Sequence, residues 1–98
     1  MEGIQNIVGP CVREIRIKAN MTQPQLVAKC NLLGWDLSRE TLAKIVSQVR
    51  KIADFELLCL SRCLGVPVEG LVPDNRAANA EMKKFFRRLE SSRRNVRQ

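Results

Sequence analysis

The stretch Thr22-Gln23-Pro24-Gln25-Leu26-Val27-Ala28-Lys29-Cys30, followed by Asn31 to Leu37 and then Ser38-Arg39-Glu40-Thr41-Leu42-Ala43-Lys44-Ile45-Val46, decides the fold. Thr22 and Ser38 are each N-cap residues, with side-chain oxygens that satisfy backbone N–H groups of a first helical turn. Pro24 suits a first turn, because its fixed φ is helical and its missing N–H is not needed there. Leu26, Val27 and Cys30 face one way at helical spacing, as do Leu42, Ile45 and, by the same period, Val49. Gly34-Trp35-Asp36-Leu37 between the caps reads as a turn. The segment is therefore two short helices joined by a turn.

Outward from it the period stays helical, and no strand alternation appears. A first helix is expected from Gly9 or Pro10 to Ala19, with Val12, Ile15 and Ala19 on one face and Asn20-Met21 breaking the pattern. Arg50 to Ala53 reads as a loop. Asp54 is expected to cap a fourth helix carrying Leu57, Leu58, Leu60 and Leu64 and stopping at Gly65, where a left-handed residue ends helices most easily. Val68 to Leu71 reads as a short fifth helix. After Pro73, the residues Ala78, Met82, Phe85, Phe86 and Leu89 share one helix face, with Lys83, Lys84, Arg87 and Arg88 on the other. Ser91 to Gln98 have nothing to bury and are expected to fray. The organisation is all-α, with a domain over 1–73 and a basic amphipathic tail over 74–98.

With 98 residues the chain is one domain plus a tail, and 4% aromatic content leaves the core to Leu, Ile and Val. Histidine is absent, which excludes His-dependent triads and His-ligated zinc. No paired carboxylates or activated nucleophile stand out, so an enzyme is not expected. The net charge is +7, of which +6 lies between Arg76 and Gln98. A charge argument for nucleic acid thus rests on the tail, and residues 1–75 must be read from pattern. Met1 to Asn20 lacks the apolar core of a signal peptide, and no run approaches membrane-spanning length, so a cytoplasmic protein with no membrane partner is expected.

Cysteines 11, 30, 59 and 63 are then expected to be reduced thiols. Cys59 and Cys63 are four apart on one helix and close enough to share a metal. Without a Cys-x-x-Cys knuckle or a His, small apolar packing is the favoured reading. No cofactor, metal or small-molecule ligand is expected.

In a helix-turn-helix the second helix enters the major groove and its first turn reaches base edges. Here those residues are Arg39, Glu40 and Thr41, with Lys44 one turn on. Arg39 and Lys44 can donate to guanine O6 and N7, Glu40 can accept from cytosine N4, and Ser38 can bond a phosphate. A solvated polar face would look the same from pattern alone.

Residues Ile7 to Val72 resemble the lambda-repressor/Cro-type (XRE-like) helix-turn-helix family. The resemblance is carried by Val12-Arg13-Glu14-Ile15-Arg16, Met21-Thr22-Gln23-Pro24-Gln25-Leu26-Val27, Leu37 to Ile45, Asp54-Phe55-Glu56-Leu57-Leu58 with Leu64-Gly65-Val66, and Val68-Glu69-Gly70-Leu71. It implies a five-helix DNA-binding domain that regulates transcription, often as a dimer on a palindrome. It also implies that Gln23 contacts a phosphate and braces the recognition helix, against the plainer reading of a local cap partner. The Glu-x-Gly that usually follows the third helix is Val46-Ser47-Gln48 here. Arg16 thereby loses its usual partner, and the third helix is expected to run on toward Arg50. Val27 replaces a small Ala and could part the two helices slightly. Trp35 is read as a lid on the core between helices two and three, with stacking on a sugar-phosphate edge as the other possibility.

The expected partner is double-stranded DNA, bound by a homodimeric repressor through Gln23, Ser38, Arg39, Glu40, Thr41 and Lys44. Arg50, Lys51, Lys83, Lys84, Arg87 and Arg88 are candidate phosphate contacts. For the tail three arrangements compete: pairing with a second copy through Met82, Phe85, Phe86 and Leu89, packing on its own domain, or following DNA phosphates. The first is favoured, because adjacent Phe residues want burial. The rival functions are an antitoxin-like protein-interaction module and a non-specific DNA binder driven by the tail.

Overall fold

The computed structural model describes residues 3–74 and 76–97, with side chains through residue 92. The chain is all-α: among the described residues there is no strand. Helix α1 spans Gly9–Lys18, α2 Gln23–Leu32, α3 Arg39–Val46, α4 Asp54–Leu64 and α5 Arg76–Arg97. The short helix expected over Val68–Leu71 is present at those bounds, as a single 3-10 turn.

One buried cluster holds the bundle together. Val12 of α1, Leu26 and Cys30 of α2, Leu42 and Ile45 of α3, Leu60, Cys63 and Leu64 of α4, and Leu71 supply its centre. Helix α2 packs on both α3 and α4, and α1 crosses α3 and α4. Each fully buried Leu or Ile removes an apolar side chain from water, about 1.5–3 kcal/mol apiece, so this cluster supplies most of the drive to fold. Trp35 is half-buried against it, as a lid would be, but the cavity beside it is walled by α4 residues Phe55, Leu58 and Cys59.

The caps explain where α2 and α3 begin. Thr22 Oγ1 accepts from Gln25 N–H at 3.2 Å while Gln25 Oε1 accepts from Thr22 N–H at 2.8 Å, a reciprocal capping box. Ser38 Oγ accepts from Thr41 N–H at 3.1 Å. Between them Gly34 sits at φ 101°, a value that L side chains avoid, which lets the chain reverse there.

Several local expectations need correction. Helix α3 stops at Val46 instead of running on toward Arg50, because Gln48 takes the left-handed conformation (φ 68°) that the missing glycine would have supplied. Val49 is consequently off the helix and exposed, not part of the buried stripe. Ala53, not Asp54, is the N-cap of α4; Glu56 Oε1 reaches back to accept from Ala53 N–H at 3.0 Å. Leu58 and Ala19 face solvent. Helix α5 continues as regular helix through Arg97 where fraying was expected; Gln98 lies outside the described residues.

Helix α5 is 22 residues long, about 33 Å at 1.5 Å per residue, and the chain's long dimension is 48 Å. Its first half faces the N-terminal segment Ile4–Ile7 across a cleft of ≈ 680 Å³ that Met82, Phe85 and Phe86 help to line. The Phe85 and Phe86 rings meet edge-on, 5.6 Å between centroids. The apolar stripe is thus turned toward its own domain without being closed over: Phe86 remains 55% exposed and Met82 50%. No helix among the described residues is long and apolar enough to cross a membrane.

Candidate nucleic-acid interface

The outer face of α3 carries the residues singled out for DNA reading. Leu42 and Ile45 turn inward and are buried, which forces Arg39, Glu40, Ala43 and Lys44 outward. Among the described residues Arg39, Glu40 and Lys44 have no hydrogen-bond or ion-pair partner. Ser38 and Thr41 are tied to each other, Ser38 Oγ donating to Thr41 Oγ1 at 3.0 Å, so the first turn of α3 is held while its longer side chains are not.

The opposite end of α3 is clamped by the N-terminal segment. Asn6 is buried, and its amide makes four hydrogen bonds. Nδ2 donates to Ile45 O at 3.0 Å and to Arg50 O at 2.8 Å, while Oδ1 accepts from Val8 N–H at 3.1 Å and Gly9 N–H at 2.9 Å. One side chain therefore caps the start of α1 and binds carbonyls on both sides of the α3 C-terminus. Gln48 reinforces it, its Nε2 donating to Asn6 O at 3.0 Å and its carbonyl accepting from Gln5 N–H at 2.8 Å. Gly9 completes the contact. A Cβ there would lie against Ile45 O and only 2.6 Å from Val46 O, so α1 and α3 approach through backbone. Sequence reading missed Asn6, because the carbonyls it ties to the α3 C-terminus belong to residues 39 and 44 positions later.

Gln23 is half-buried at the first position of α2. The cap partner of Thr22 is Gln25, so the local-cap reading of Gln23 does not hold. Arg16 finds its substitute partner in the α1–α2 loop, where Nη1 donates to Met21 O at 2.8 Å.

The basic residues divide. Arg50 grips Glu56 with its two terminal guanidinium nitrogens, Nη1 and Nη2, at 2.9 and 3.0 Å, so its charge already has a partner within the fold. That hydrogen bonding holds the Glu56 carboxyl below its usual range, against the opposing effect of burial. Lys51 is exposed. On α5, Lys84 pairs loosely with Glu81 at 3.4 Å, and Lys83 and Arg87 are exposed. Arg88 turns back toward Gly3, where an added Cβ would meet its guanidinium at 2.8 Å.

Between α2 and α4, three of the four cysteines converge. The Sγ atoms of Cys30, Cys59 and Cys63 lie within 4.8 Å of one another. Burial, with the neighbouring thiols adding to it, pushes Cys30 well above the usual thiol range. Burial likewise raises Cys63. The i,i+4 spacing of Cys59 and Cys63 was legible; the arrival of Cys30 from α2 was not. Cys11 stands apart on α1, its thiol raised by burial and by Glu14.

Searches of protein-family models, of curated proteins and of solved structures return no match to this chain.

Proposed function

We propose that the chain is a sequence-specific DNA-binding transcriptional regulator of the lambda-repressor-like type, with α3 as its recognition helix. The observation that carries this reading is the outer face of α3. Arg39, Glu40 and Lys44 project from a helix whose other face and C-terminal end are fixed, and none is paired among the described residues. Rigidly presented donors and an acceptor on one short helix suit base edges in a major groove about 12 Å wide. Gln23 and Ser38 flank that face, at the starts of α2 and α3, as phosphate contacts. Lys51, Lys83, Lys84 and Arg87 add sequence-independent phosphate attraction. The half-exposed Met82, Phe85, Phe86 and Leu89 stripe of α5 favours pairing with a second copy, and repression would follow from occupancy of a palindromic operator.

Selection of the full-length protein against a random duplex pool tests this. Enrichment of an inverted repeat is the expected result, and its half-site spacing gives the dimer geometry. Retention without any enriched motif would replace the reading with a non-specific binder acting through α5.

A second reading is favoured by a different surface. Phe55 is 83% and Leu32 86% exposed, and Phe55, Leu33 and Leu58 rim the cavity beside Trp35. Clustered exposed apolar side chains mark protein contacts. If no duplex is retained, the fold is better understood as a protein-interaction module using that face.

A further inference from the structure

We propose that Cys30, Cys59 and Cys63 form a three-sulfur site for a trivalent thiophilic metalloid, with arsenite as the soluble form that would load it. Cys59 and Cys63 occupy one face of α4, one turn apart, and Cys30 meets them from α2, so that the three sulfurs already lie within 4.8 Å of one another. Ligand bonds of about 2.3 Å hold sulfurs roughly 3.5–4 Å apart, so a contraction of about an ångström closes the site.

Ligand count and charge select the ion. The chain has no histidine, and among the described residues no carboxylate joins the three sulfurs as a fourth ligand. The carboxylate nearest in sequence, Glu56, is held by Arg50 and Ala53. Zinc strongly prefers four ligands. Three thiolates around a divalent ion also leave a net charge of −1, and around monovalent copper −2. Cys30 and Cys63 sit in the buried cluster with Leu26, Leu60 and Leu64, and Cys59 packs against it, a setting that strongly disfavours an unbalanced charge. A trivalent centre with three thiolates is neutral and three-coordinate, which matches both the donor set and its apolar surroundings.

The chemistry closes without an oxidant or reductant. Arsenous acid, As(OH)3, condenses with three thiols to give As(SR)3 and three waters. Three As–O and three S–H bonds break, three As–S and three O–H bonds form, and arsenic stays trivalent. Access is through Cys59, which is only partly buried and lines the cavity of ≈ 400 Å³ beside Trp35. A small uncharged solute can reach that sulfur first, and Cys63 and Cys30 lie behind it.

The test is titration of the reduced full-length protein with sodium arsenite, followed by thiol counting and non-denaturing mass spectrometry. The expected result is one arsenic per chain, a mass gain of one arsenic less three hydrogens, and protection of three of the four thiols. Cys11→Ser should leave this unchanged. Cys59→Ser, at a partly exposed position, should weaken binding at least tenfold while helical circular dichroism is retained, and Cys63→Ser should do the same. Protection of two thiols or fewer overturns the proposal, as does unchanged affinity in Cys59→Ser. Tight stoichiometric zinc binding by a protein that ignores arsenite also overturns it.

Discussion

The two ends of α3 are built on opposite plans. At its C-terminus, carbonyls of Ile45 and Arg50 receive the Asn6 amide, Gly9 lets α1 press backbone to backbone, and Gln48 locks the reversal. At its N-terminus the cap is a surface hydroxyl, and the long side chains of Arg39 and Glu40 meet no partner among the described residues. Stability is concentrated at one end of an eight-residue helix and exposed polar side chains at the other. Changes at the clamped end should therefore appear in unfolding, and changes at the open end in recognition.

The largest expected effect is at Gly9. Gly9→Ala drives a methyl into the carbonyls of Ile45 and Val46, atoms that cannot step aside without moving α3. A loss of about 3 kcal/mol or more is expected, measured by urea unfolding. Asn6→Ala follows, at about 2–3 kcal/mol, because it leaves buried donors and acceptors unsatisfied at both α1 and α3. If either variant unfolds like the parent, the C-terminal clamp does not hold the helix.

At the open end, Arg39→Ala should leave the unfolding midpoint unchanged and cost about 1–3 kcal/mol of discrimination between selected and random duplex. Lys84→Ala should instead weaken all duplexes alike and flatten the salt dependence by about 0.9 for each phosphate it no longer neutralises. Equal effects of both on selected and random DNA would remove the distinction between reader and anchor.

The smallest effect concerns the Arg50–Glu56 pair. Glu56 titrates below its ordinary 4.5, so its contribution is present above that pH and is lost as the pH falls through its lowered value. Glu56→Gln should cost about 1 kcal/mol at neutral pH, with the gap from the parent closing as solutions are made more acidic than pH 4.5. A gap constant across that range would mean that the carboxylate charge is not what holds the α4 start.

Much of this was legible in sequence, for reasons that particular residues make plain. Thr22, Ser38 and Gly65 act within four residues of themselves, so the helix boundaries they set can be read from the chain. Leu26, Leu42, Ile45 and Leu60 repeat at the helical period and lie in the core as read. What escaped depends on distance along the chain. Asn6 finds partners on α3 and beyond it, and Cys30 joins a pair 29 and 33 residues later. Gln48 escaped for another reason. Its side chain favours helix, yet bonds to Asn6 and Gln5 outweigh a left-handed strain of about 1–2 kcal/mol. The outward side of α3 was readable as polar, and its rigidity came only with the clamp.

Trp35 is the only tryptophan, and the chain has no tyrosine. Its backbone N–H donates to Cys30 O, and its carbonyl accepts from Asn31 Nδ2. With Cys59 it lines the cavity between the α2–α3 turn and α4. The near-ultraviolet emission of the whole protein is accordingly that of one indole, seated between the turn that leads into α3 and the Cys59 face of α4. An unlabelled sample thus carries its own optical gauge of any motion passing between them.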